Sequence, residues 1–428
     1  MFVAPADKFR GDISIPGDKS ISHRAAIFAS IAEGKTVITN FLDAEDCLST
    51  LHCLRQLGIA IERDGTTVVV NGKGLNGLQR STGMLDCGNS GTTARTIAGI
   101  LAGQPFRSTL TGDESLTTRP MRRVISPLEK LGANIESDHG LLPITLGASQ
   151  LNGRTIRLEV TSAQVKTCIL LAGLFADGTT TVIEPIATRD HTERMLTWFG
   201  VDVVIDYSGR ERHISVAGSS QLTAQDITVP GDISSAAFLA VAAACLPNSS
   251  VTIRNVGLNP TRTGILSVLE QCGVSVEIEN ETDRCNEPIG DLTVRSNTKL
   301  KSPAIIDGDV VANVIDELPI IAVLGTQLPD GIEVRGAAEL RVKETDRIDA
   351  VVRNLRAIGV DVDEFDDGFR VHRSDIIGGE VDSFGDHRIA MAFAVAGLLS
   401  KDGVTVNNAD CTDISFPGFF ETLTTLVE

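Results

Sequence analysis

Aromatic residues and long apolar stretches are scarce in this sequence of 428 residues, which contains 15 Phe, one Trp and one Tyr. A core built from its 42% hydrophobic residues must therefore be largely aliphatic. The longest apolar runs, 236–246 and 389–399, have 11 residues each. A membrane-spanning helix needs about 20, so both runs predict buried helices, and no membrane partner is expected. The first residues show no apolar signal segment, and we expect a cytoplasmic protein.

Patterns typical of metal sites are also missing. The eight cysteines include no CxxC pair, and the seven histidines include no HExxH motif. In a long chain without an export signal, such cysteines are expected to be reduced residues of the core. The spacing of the histidines and cysteines predicts no structural metal site.

Basic residues are outnumbered, with 38 Lys and Arg against 56 Asp and Glu, and the net charge is −18 at pH 7. Such an acidic protein repels nucleic acid and anionic membranes, so neither is expected as a partner. The same field would repel a small anionic ligand unless cations are gathered around it. Local clusters of Lys and Arg are therefore the most informative features of the sequence.

One pattern recurs along the chain: the apolar end of a helix, a Gly, and a short β-rich run. The copies lie at 54–62, 128–136, 196–204, 269–277 and 355–363, and a sixth copy without the Gly lies at 420–428. Each Gly is typical of a residue that ends a helix in the left-handed conformation. A further helix, turn and strand precede each copy. The chain is thus predicted to be an α/β (α+β) protein with six strand–helix–strand–helix–strand units.

A Pro-Gly-Asp turn occurs twice, at 16–18 and 230–232, half the chain apart. Each turn lies where a predicted strand leads into a helix. If the first residues pair with the last units, the chain crosses between two lobes at these turns. We therefore predict one discontinuous lobe of residues 1–17 plus 231–428 and a second lobe of residues 18–230, with three units in each.

The first of these turns is followed by three basic side chains, Lys19, His23 and Arg24. The simplest interpretation is a helix start that Asp18 or Ser20 caps. However, the helix dipole disfavours cations at a helix N-terminus. Their presence favours a site where an anion also lies at that helix end.

Three more segments of the first half suit an anionic, hydroxylated ligand. The Gly-rich turn in 86–95 leaves backbone N–H groups open to a phosphate or carboxylate. Arg119 lies beside Pro120 and can make bidentate contacts. Segment 160–174 opens a helix with Thr, Ser and Gln, and Arg189 follows at the turn that matches Arg119. Each segment also has a simpler explanation as a common Gly turn, a solvated charge or a helix cap.

The second half contains candidates for proton transfer. Asp316 and Glu317 precede an apolar helix, where burial can raise the pKa of a carboxyl group. Segment 341–348 alternates charges, a pattern typical of a solvated helix face. Arg388 lies at the start of another apolar helix. We infer that helix N-termini from both lobes collect an anionic ligand in a cleft between them.

Nine motifs in this order resemble the 5-enolpyruvylshikimate-3-phosphate (EPSP) synthase family, from about residue 8 to residue 420: PGDKSISHR, GNSGTTAR, LTTRPM, SAQVK, TRDHTE, NPTRTG, IDELPI, RVKETDR and GDHRIAM. The residues of the motifs SAQVK and TRDHTE resemble the bacterial class II branch of the family rather than its class I branch. The resemblance implies the enolpyruvyl transferase fold, a two-lobe, inside-out barrel-like arrangement of six βαβαββ repeats. The family transfers the enolpyruvyl group of phosphoenolpyruvate to the 5-hydroxyl of shikimate 3-phosphate. It needs no metal or organic cofactor.

The resemblance also implies roles for individual residues. The residues that match shikimate 3-phosphate contacts are Lys19, Ser20, Arg24, Ser162, Ala163, Gln164, Arg189, Asp316 and Lys343. The residues that match phosphoenolpyruvate contacts are Lys19, Gly91, Arg119, Gln164, Arg347 and Arg388. The matching catalytic residues are Asp316, Glu344 and Lys19. The partners expected from the resemblance are the two substrates and the inhibitor glyphosate, and we expect a monomer.

The chain departs from the class I pattern at two points. Class I members have a Lys in the final unit, whereas this chain has Asp413, Ile414 and Ser415 there. Ala163 stands where class I has a second Ser. Gly91 is the small residue that the family associates with glyphosate sensitivity, and it predicts a sensitive enzyme.

Two other functions compete with this interpretation. The related enolpyruvyl transferase that acts on UDP-N-acetylglucosamine carries a Cys in the loop before its matching arginine, but residues 112–120 contain no Cys. A non-catalytic binding or scaffold protein on the same repeat is expected to lack the acid–base residues, yet Lys19, Asp316 and Glu344 are all present. Phosphate release with each acceptor would discriminate the enzymes.

Overall fold

The computed structural model describes residues 1–297 and 299–428. The first twelve strands are β1 (Phe2–Val3), β2 (Arg10–Ser14), β3 (Ala32–Thr39), β4 (Ala60–Asp64), β5 (Thr67–Lys73), β6 (Leu85–Asp86), β7 (Ser108–Thr111), β8 (Asn134–Ser137), β9 (Ile144–Gly147), β10 (Thr155–Arg157), β11 (Thr179–Glu184) and β12 (Val203–Ser208). The others are β13 (Glu211–Ala217), β14 (Leu222–Thr223), β15 (Ile227–Thr228), β16 (Ser250–Gly257), β17 (Ser275–Arg284), β18 (Glu287–Arg295), β19 (Ile332–Val334), β20 (Val362–Phe365), β21 (Gly368–Val371), β22 (Gly379–Asp382) and β23 (Val404–Asn407).

The helices are α1 (Lys19–Ile31), α2 (Glu45–Gln56), α3 (Gly91–Ala102), α4 (Glu114–Thr117), α5 (Arg122–Leu131), α6 (Ala163–Gly173), α7 (His191–Trp198), α8 (Ile233–Cys245), α9 (Gly264–Gln271), α10 (Gly308–Val314), α11 (Leu318–Gly325), α12 (Arg347–Ala357), α13 (His387–Leu399) and α14 (Phe419–Thr425). Two 3-10 segments, Ala338–Val342 and Ala409–Ile414, precede α12 and α14. Every helix within residues 1–297 and 299–428 is too short or too polar to span a bilayer.

The strands of the described residues form six small mixed sheets. In five of them one strand has a parallel neighbour on one side and an antiparallel neighbour on the other; these strands are β3, β7, β11, β16 and β23. In the sixth sheet, β19 pairs antiparallel with β21 and makes a single parallel bridge through Val334 to Ile306. This mixture of pairings, with helices between the strands, confirms the predicted α/β (α+β) class.

The chain divides into two compact units. The first, which we call the C-terminal unit, comprises Met1–Pro16, Pro230–Asp283 and Pro288–Glu428; the second, the N-terminal unit, comprises Gly17–Val229 and Arg284–Glu287. The sequence predicts lobe boundaries at 17/18 and 230/231, and the structure divides the units at 16/17 and 229/230. The sequence gives no indication that the β17–β18 turn, Arg284–Glu287, groups with the N-terminal unit. Three sheets belong to each unit.

Each unit has its own aliphatic core. The two longest apolar runs of the sequence lie in α8 and α13, and every residue from Ile233 to Ala244 and from His387 to Leu398 is buried. These two helices are in the core of the C-terminal unit, as the absence of charged residues in the runs predicts. The eight thiols are free, and five of them are buried.

The five recurring glycines adopt the backbone conformation that the repeat pattern predicts. Their φ angles are +85°, +106°, +88°, +79° and +86°, in the order Gly58, Gly132, Gly200, Gly273 and Gly359. Each follows the end of a helix (α2, α5, α7, α9 and α12) and precedes a strand two to three residues later. Only Gly takes this conformation without a steric penalty from Cβ.

The two Pro-Gly-Asp turns each lead from a strand into a helix, and their aspartates are the N-caps. Asp18 accepts a hydrogen bond from the N–H of Ile21, and Asp232 accepts one from Ser234. The glycines are required by close approach: a Cβ on Gly17 would lie 1.9 Å from the carbonyl oxygen of Asn40. The turn therefore recurs for a structural reason that does not depend on the charges following the first copy.

Candidate active site

In the N-terminal unit, the charged residues after the first Pro-Gly-Asp turn belong to the first turns of α1. Lys19 is the first residue of α1 and forms an ion pair with Asp46 of α2. His23 is fully buried, and its Nδ1 lies 2.7 Å from Thr50 Oγ1. Burial, and to a lesser extent Lys19 and Arg24, hold the pKa of His23 well below its usual range. His23 is therefore neutral at pH 7, and α1 contributes two cations to this region rather than three.

Arg24 connects three helices of the N-terminal unit. Its Nε donates to Thr192 Oγ1 of α7 at 2.9 Å, and its Nη2 donates to Thr167 Oγ1 of α6 at 2.7 Å. Its Nη1 donates to the carbonyl oxygen of Ser20 at 3.0 Å. The guanidinium is buried. The structure thus brings two predicted ligands, Ser20 and Arg24, close to the starts of α6 and α7.

The start of α3 and the start of α6 are joined through Gln164. Its Oε1 accepts from Arg95 Nη1 at 2.7 Å, and its Nε2 donates to Thr92 Oγ1 at 2.9 Å. Gly91 is the first residue of α3, which Ser90 caps. A Cβ on Gly91 would lie 3.1 Å from Nη1 of Arg95. Gly91 and Gln164 are therefore linked through the Arg95 side chain.

Arg119 is held at the turn between α4 and α5. Its Nη2 donates to Asn89 Oδ1 and to Ser115 Oγ at 2.9 Å, and its Nη1 donates to the carbonyl oxygen of Asn89 at 3.4 Å. Within the part of the chain that the structure describes, no carboxylate pairs with Arg119, and its Nε lacks a hydrogen-bond partner. A buried cation whose charge is not neutralised is suited to binding an anion.

The other two predicted ligand segments of this unit also lie at helix starts. Ser162 caps α6 by accepting from the N–H of Val165, and Ala163 is the first residue of α6. Arg189 is partly buried in the loop between β11 and α7, immediately after Thr188. The backbone N–H and the hydroxyl of Thr188 both donate to Glu184, the last residue of β11. This loop is therefore anchored to the end of its strand.

In the C-terminal unit, Arg347 is the centre of a cluster of charges. Its side chain is 1% exposed. It donates to Asp386 from Nε at 2.7 Å, to Glu344 from Nη2 at 2.7 Å and to Asp316 from Nη1 at 3.2 Å. Burial alone would lower the pKa of Arg347, but Asp386, Glu344 and Asp316 together raise it, so the guanidinium stays charged.

Lys343 and Arg388 complete this cluster around Asp316. Nη1 of Arg388 donates to the carbonyl oxygen of Asp316 at 3.2 Å, and Nη2 lies 3.6 Å from Oδ2 of the same residue. Nζ of Lys343 lies 3.9 Å from Asp316 Oδ1. Burial lowers the pKa of Lys343, Arg347 lowers it further, and the neighbouring carboxylates act in the opposite direction. Three cations and three carboxylates thus lie together.

The local structure explains why the sequence pattern around these residues was misleading. The alternating charges of 341–348 favoured a solvated helix face, but the segment contains the end of a 3-10 segment at Val342, four residues outside any helix, and the start of α12 at Arg347. Arg347 is buried at this start. Because the helix begins there, its side chain points back to the ends of the neighbouring elements instead of along a solvent-facing stripe.

Several residues that hold the predicted ligands were not found by sequence reasoning. They are Asp46, Arg95, Thr167, Thr192 and Asp386, partners of Lys19, Gln164, Arg24 and Arg347. Asp386 was detectable, because an Asp before an apolar helix run is an N-cap signal, and it does cap α13. The other four lie within helices; Arg95 and Thr192 are part of the motifs GNSGTTAR and TRDHTE, but nothing in the sequence indicated which ligand each of them contacts.

The residues at which the chain lacks the class I Lys, 413–415, lie in or directly after a 3-10 segment. Ala409–Ile414 is the 3-10 segment before α14, and Ser415 follows it. Ser415 is buried, and its hydroxyl has no hydrogen-bond partner among the described residues.

No group of three or more His, Cys, Asp or Glu side chains suited to a metal ion occurs within 1–297 and 299–428.

Residues 3–423 match the family model described as EPSP synthase (3-phosphoshikimate 1-carboxyvinyltransferase). Curated relatives named 3-phosphoshikimate 1-carboxyvinyltransferase include one from Bacillus licheniformis, 48% identical over 98% of this chain and 97% of its own length. Another, from Citrifermentans bemidjiense, is 48% identical over 100% of this chain and 99% of its own length.

Solved structures show the same likeness. EPSP synthase from Acinetobacter baumannii superposes with a TM-score of 0.88 at 41% identity, covering 100% of this chain and 98% of that one. The enolpyruvyl transferase NikO from Streptomyces tendae has a TM-score of 0.75 at 18% identity, with 99% of this chain and 96% of that one covered. The second likeness supports the fold alone, and the predicted enolpyruvyl transferase fold is confirmed by both.

Proposed function

Because this chain belongs to the EPSP synthase family, we propose that it transfers the enolpyruvyl group of phosphoenolpyruvate to the 5-hydroxyl of shikimate 3-phosphate. The products are 5-enolpyruvylshikimate 3-phosphate and inorganic phosphate, in the route to chorismate and the aromatic amino acids. The observation that carries the proposal is the cluster on Arg347. One guanidinium holds both predicted acid–base residues, Asp316 and Glu344, next to the amine of Lys343.

The N-terminal unit supplies the groups proposed for shikimate 3-phosphate. Arg24, Ser162, Ala163, Gln164 and Arg189 all lie at or beside the starts of α1, α6 and α7, where backbone N–H groups and the helix dipoles favour an anion. Lys19 and Ser20 complete this set. The 3-phosphate and the carboxylate of this substrate are both anionic, and serine and glutamine side chains suit its hydroxyls.

Phosphoenolpyruvate is assigned to Lys19, Gly91, Arg119, Gln164, Arg347 and Arg388. Arg119 has a charge that no described carboxylate neutralises, which makes it suitable for binding a phosphate or carboxylate. Arg347 already makes four donor contacts to carboxylates. A guanidinium has five N–H donors, so Arg347 can offer one to the substrate without breaking its present contacts.

The reaction requires two proton transfers on the enolpyruvyl group. A proton is added to the methylene carbon of phosphoenolpyruvate, and the 5-hydroxyl of shikimate 3-phosphate attacks the resulting cationic carbon while losing its own proton. The tetrahedral adduct then loses a proton from the methyl carbon and releases phosphate. Asp316 and Glu344 exchange these protons. Lys19 and the arginines stabilise the charge that develops on the departing phosphate.

The two units supply complementary chemistry. The N-terminal unit provides cations and hydroxyl groups, and the C-terminal unit provides the carboxylates that exchange protons. The proposed reaction needs both sets, because it combines stabilisation of phosphate charge with proton exchange. We extend the proposal to a monomeric, cytoplasmic enzyme, which light scattering and fractionation of cells would test.

The proposed function is tested by measuring phosphate release from phosphoenolpyruvate with each acceptor. We expect release that depends on shikimate 3-phosphate and none with UDP-N-acetylglucosamine. Product identity is checked by mass spectrometry of the acceptor after the reaction. Release with the UDP-sugar alone would favour the related transferase, and binding of shikimate 3-phosphate without release would favour a non-catalytic binding protein.

Glyphosate sensitivity is the first testable consequence at Gly91. We expect Gly91→Ala to raise the glyphosate concentration for half inhibition about tenfold or more, since one methyl group in a tight pocket discriminates by this amount. The new Cβ would lie 3.1 Å from Arg95 Nη1, so Arg95 must shift slightly and the space beside Gly91 shrinks. Inhibition is measured at several phosphoenolpyruvate concentrations.

Gly83→Ala is the matched control for this experiment. Gly83 is exposed in the same unit, and a Cβ there would meet nothing within 4 Å. Its inhibition curve is expected to equal that of the unmodified enzyme. Superimposable curves for all three proteins would show that Gly91 does not limit the inhibitor's space.

The pH dependence of binding is the second consequence, at Lys343. The pKa of Lys343 lies below the ordinary value of 10.5. As the pH rises, the amine therefore loses its proton before pH 10.5 is reached, and the affinity for shikimate 3-phosphate should decline with it. Glu339 raises the pKa of Lys343, and Glu339→Gln should therefore move the decline to lower pH. Titration calorimetry between about pH 7 and pH 10 measures this, since substrate phosphate is fully ionised there. A decline that moves to higher pH in Glu339→Gln would contradict the assignment, and Lys343→Met should lack the decline.

A further inference from the structure

Lys166, within the motif SAQVK, has no role in the chemistry described above, yet it lies in a buried ion cluster of the N-terminal unit. Its side chain is 0% exposed. Nζ lies 2.8 Å from Glu193 Oε1 of α7, and 3.1 Å from Oε1 and 3.3 Å from Oε2 of Glu184 at the end of β11. Arg212 of β13 reaches Glu184 at 3.4 Å and Glu193 at 3.5 Å. Two cations and two carboxylates thus join α6, β11, α7 and β13.

Three members of this cluster, Lys166, Glu184 and Glu193, are connected to residues proposed to bind shikimate 3-phosphate or to residues that hold them. Lys166 is two residues after Gln164 on α6. Glu184 accepts both hydrogen bonds of Thr188, and Arg189 is the next residue. The chain neighbours of Lys166 and Glu193 are Thr167 and Thr192, the two hydroxyls that accept from Arg24.

A contribution to folding stability does not by itself explain why charged side chains are buried in this cluster. Removing charged groups from water costs several kcal/mol per ion, and well-packed apolar residues often replace buried ion pairs without loss of stability. The cluster also leaves two buried polar atoms, Glu193 Oε2 and Arg212 Nε, without a hydrogen-bond partner among the described residues. Ion pairs with several hydrogen bonds fix the distance and orientation between the helices and strands that carry them.

We propose that Lys166, Glu184 and Glu193, with Arg212, are positioning residues that fix the Arg189 loop and the start of α7 against the start of α6, and so set the geometry of the shikimate 3-phosphate site. This inference rests on the proposed function. None of the four side chains contacts the substrate in this assignment. They act through Arg189 and the two threonines that hold Arg24.

The experiment compares single and charge-balanced variants. Lys166→Met leaves two carboxylates with Arg212 alone and is expected to lower the melting temperature. Lys166→Met/Glu193→Gln removes one charge of each sign and leaves the Arg212–Glu184 pair, so its melting temperature should return toward that of the unmodified enzyme. If the cluster is a positioning device, the dissociation constant for shikimate 3-phosphate stays about 10- to 100-fold higher in this double variant, because small displacements of binding groups have effects of this size.

The split between substrates separates positioning from general damage. Of the proposed shikimate 3-phosphate ligands in this unit, Arg24, Ser162, Ala163 and Arg189 do not contact phosphoenolpyruvate. The KM for phosphoenolpyruvate, measured at saturating shikimate 3-phosphate, should therefore change much less. A stable double variant with unchanged affinity for shikimate 3-phosphate, or with equal losses for both substrates, would overturn the inference.

Two further variants complete the design. Lys130→Met/Glu159→Gln makes the same chemical changes in an exposed ion pair of the same unit and should alter neither affinity. Thr188→Val keeps all four charges but removes the hydroxyl that donates to Glu184; it should also weaken shikimate 3-phosphate binding, and normal binding in it would count against the inference even if the double variant does not fold. Failure of the unmodified enzyme to bind shikimate 3-phosphate would instead overturn the proposed function.

Discussion

Replacement of Glu344 by Gln is expected to lower kcat about 10²- to 10⁴-fold, the usual contribution of a general acid or base, while shikimate 3-phosphate still binds. Gln has nearly the same shape as Glu and keeps an oxygen that can accept from Arg347 Nη2, now 2.7 Å from Glu344 Oε2. It cannot give and take a proton at pH 7. The loss should therefore fall on the chemical step and not on the structure of the cluster.

The measurement combines steady-state phosphate release with calorimetric titration of shikimate 3-phosphate. Glu364→Gln is the matched control, because Glu364 is also paired with an arginine, Arg341, at 3.0 Å in the same unit, but lies outside the cluster. We expect its kcat to be unchanged. Full activity in Glu344→Gln would remove Glu344 from the acid–base set and leave the proton transfers to Asp316 and Lys19.

The parts of the fold that were predictable from the sequence depend on local rules. The five glycines after helices could be found because left-handed backbone almost demands Gly, and the two Pro-Gly-Asp turns because Asp caps a helix. The sequence patterns also located the starts of α1, α3, α6, α11 and α13. Each of these features depends on a few consecutive residues, so it can be predicted without knowledge of the tertiary contacts.

The partners of the predicted ligands could not be read from the sequence, because they are set by long-range packing. Arg262 illustrates this. It lies before α9, as Arg189 lies before α7, yet it is buried and donates to Asp232 at 3.1 Å and to Ser234 at 2.7 Å. The second Pro-Gly-Asp turn is therefore accompanied by a cation after all, brought from 30 residues away. There the arginine supports the turn and the start of α8.

The cluster on Arg347 was only half predictable for the same reason. The resemblance indicated Asp316, Lys343, Glu344, Arg347 and Arg388, but as separate contacts to substrates. The structure shows that they also contact each other, with Asp386 as a sixth member. Asp316 and Glu344 are thus held in a fixed geometry by neighbouring protein groups, which is a general requirement for efficient proton transfer.

Arg347→Met should consequently lower the free energy of unfolding by about 3–5 kcal/mol, the usual cost of leaving a buried charge without its partner. Met fills part of the space but provides no donor. Asp386 is 0% exposed and would lose both of its contacts to the guanidinium. Arg353→Met is the control: Arg353 is on the same helix, but it is 62% exposed, and it contacts Asp349 at the surface and the Phe384 ring at 5.0 Å, so its loss should cost only about 1 kcal/mol. Urea unfolding measures both.

A double variant identifies the cause of this loss. If the instability comes from the uncompensated charge of Asp386, Arg347→Met/Asp386→Asn should be more stable than Arg347→Met, although it contains one more substitution. Asn can still cap α13, because its oxygen can accept from the N–H of Arg388 as Asp386 does now at 2.9 Å. Further destabilisation in the double variant would show that Asp386 is held by other groups and that Arg347 contributes mainly through packing. Activity should stay low in both variants, since Glu344 and Asp316 lose the guanidinium that fixes them, and recovery of stability without activity would separate the two roles of Arg347.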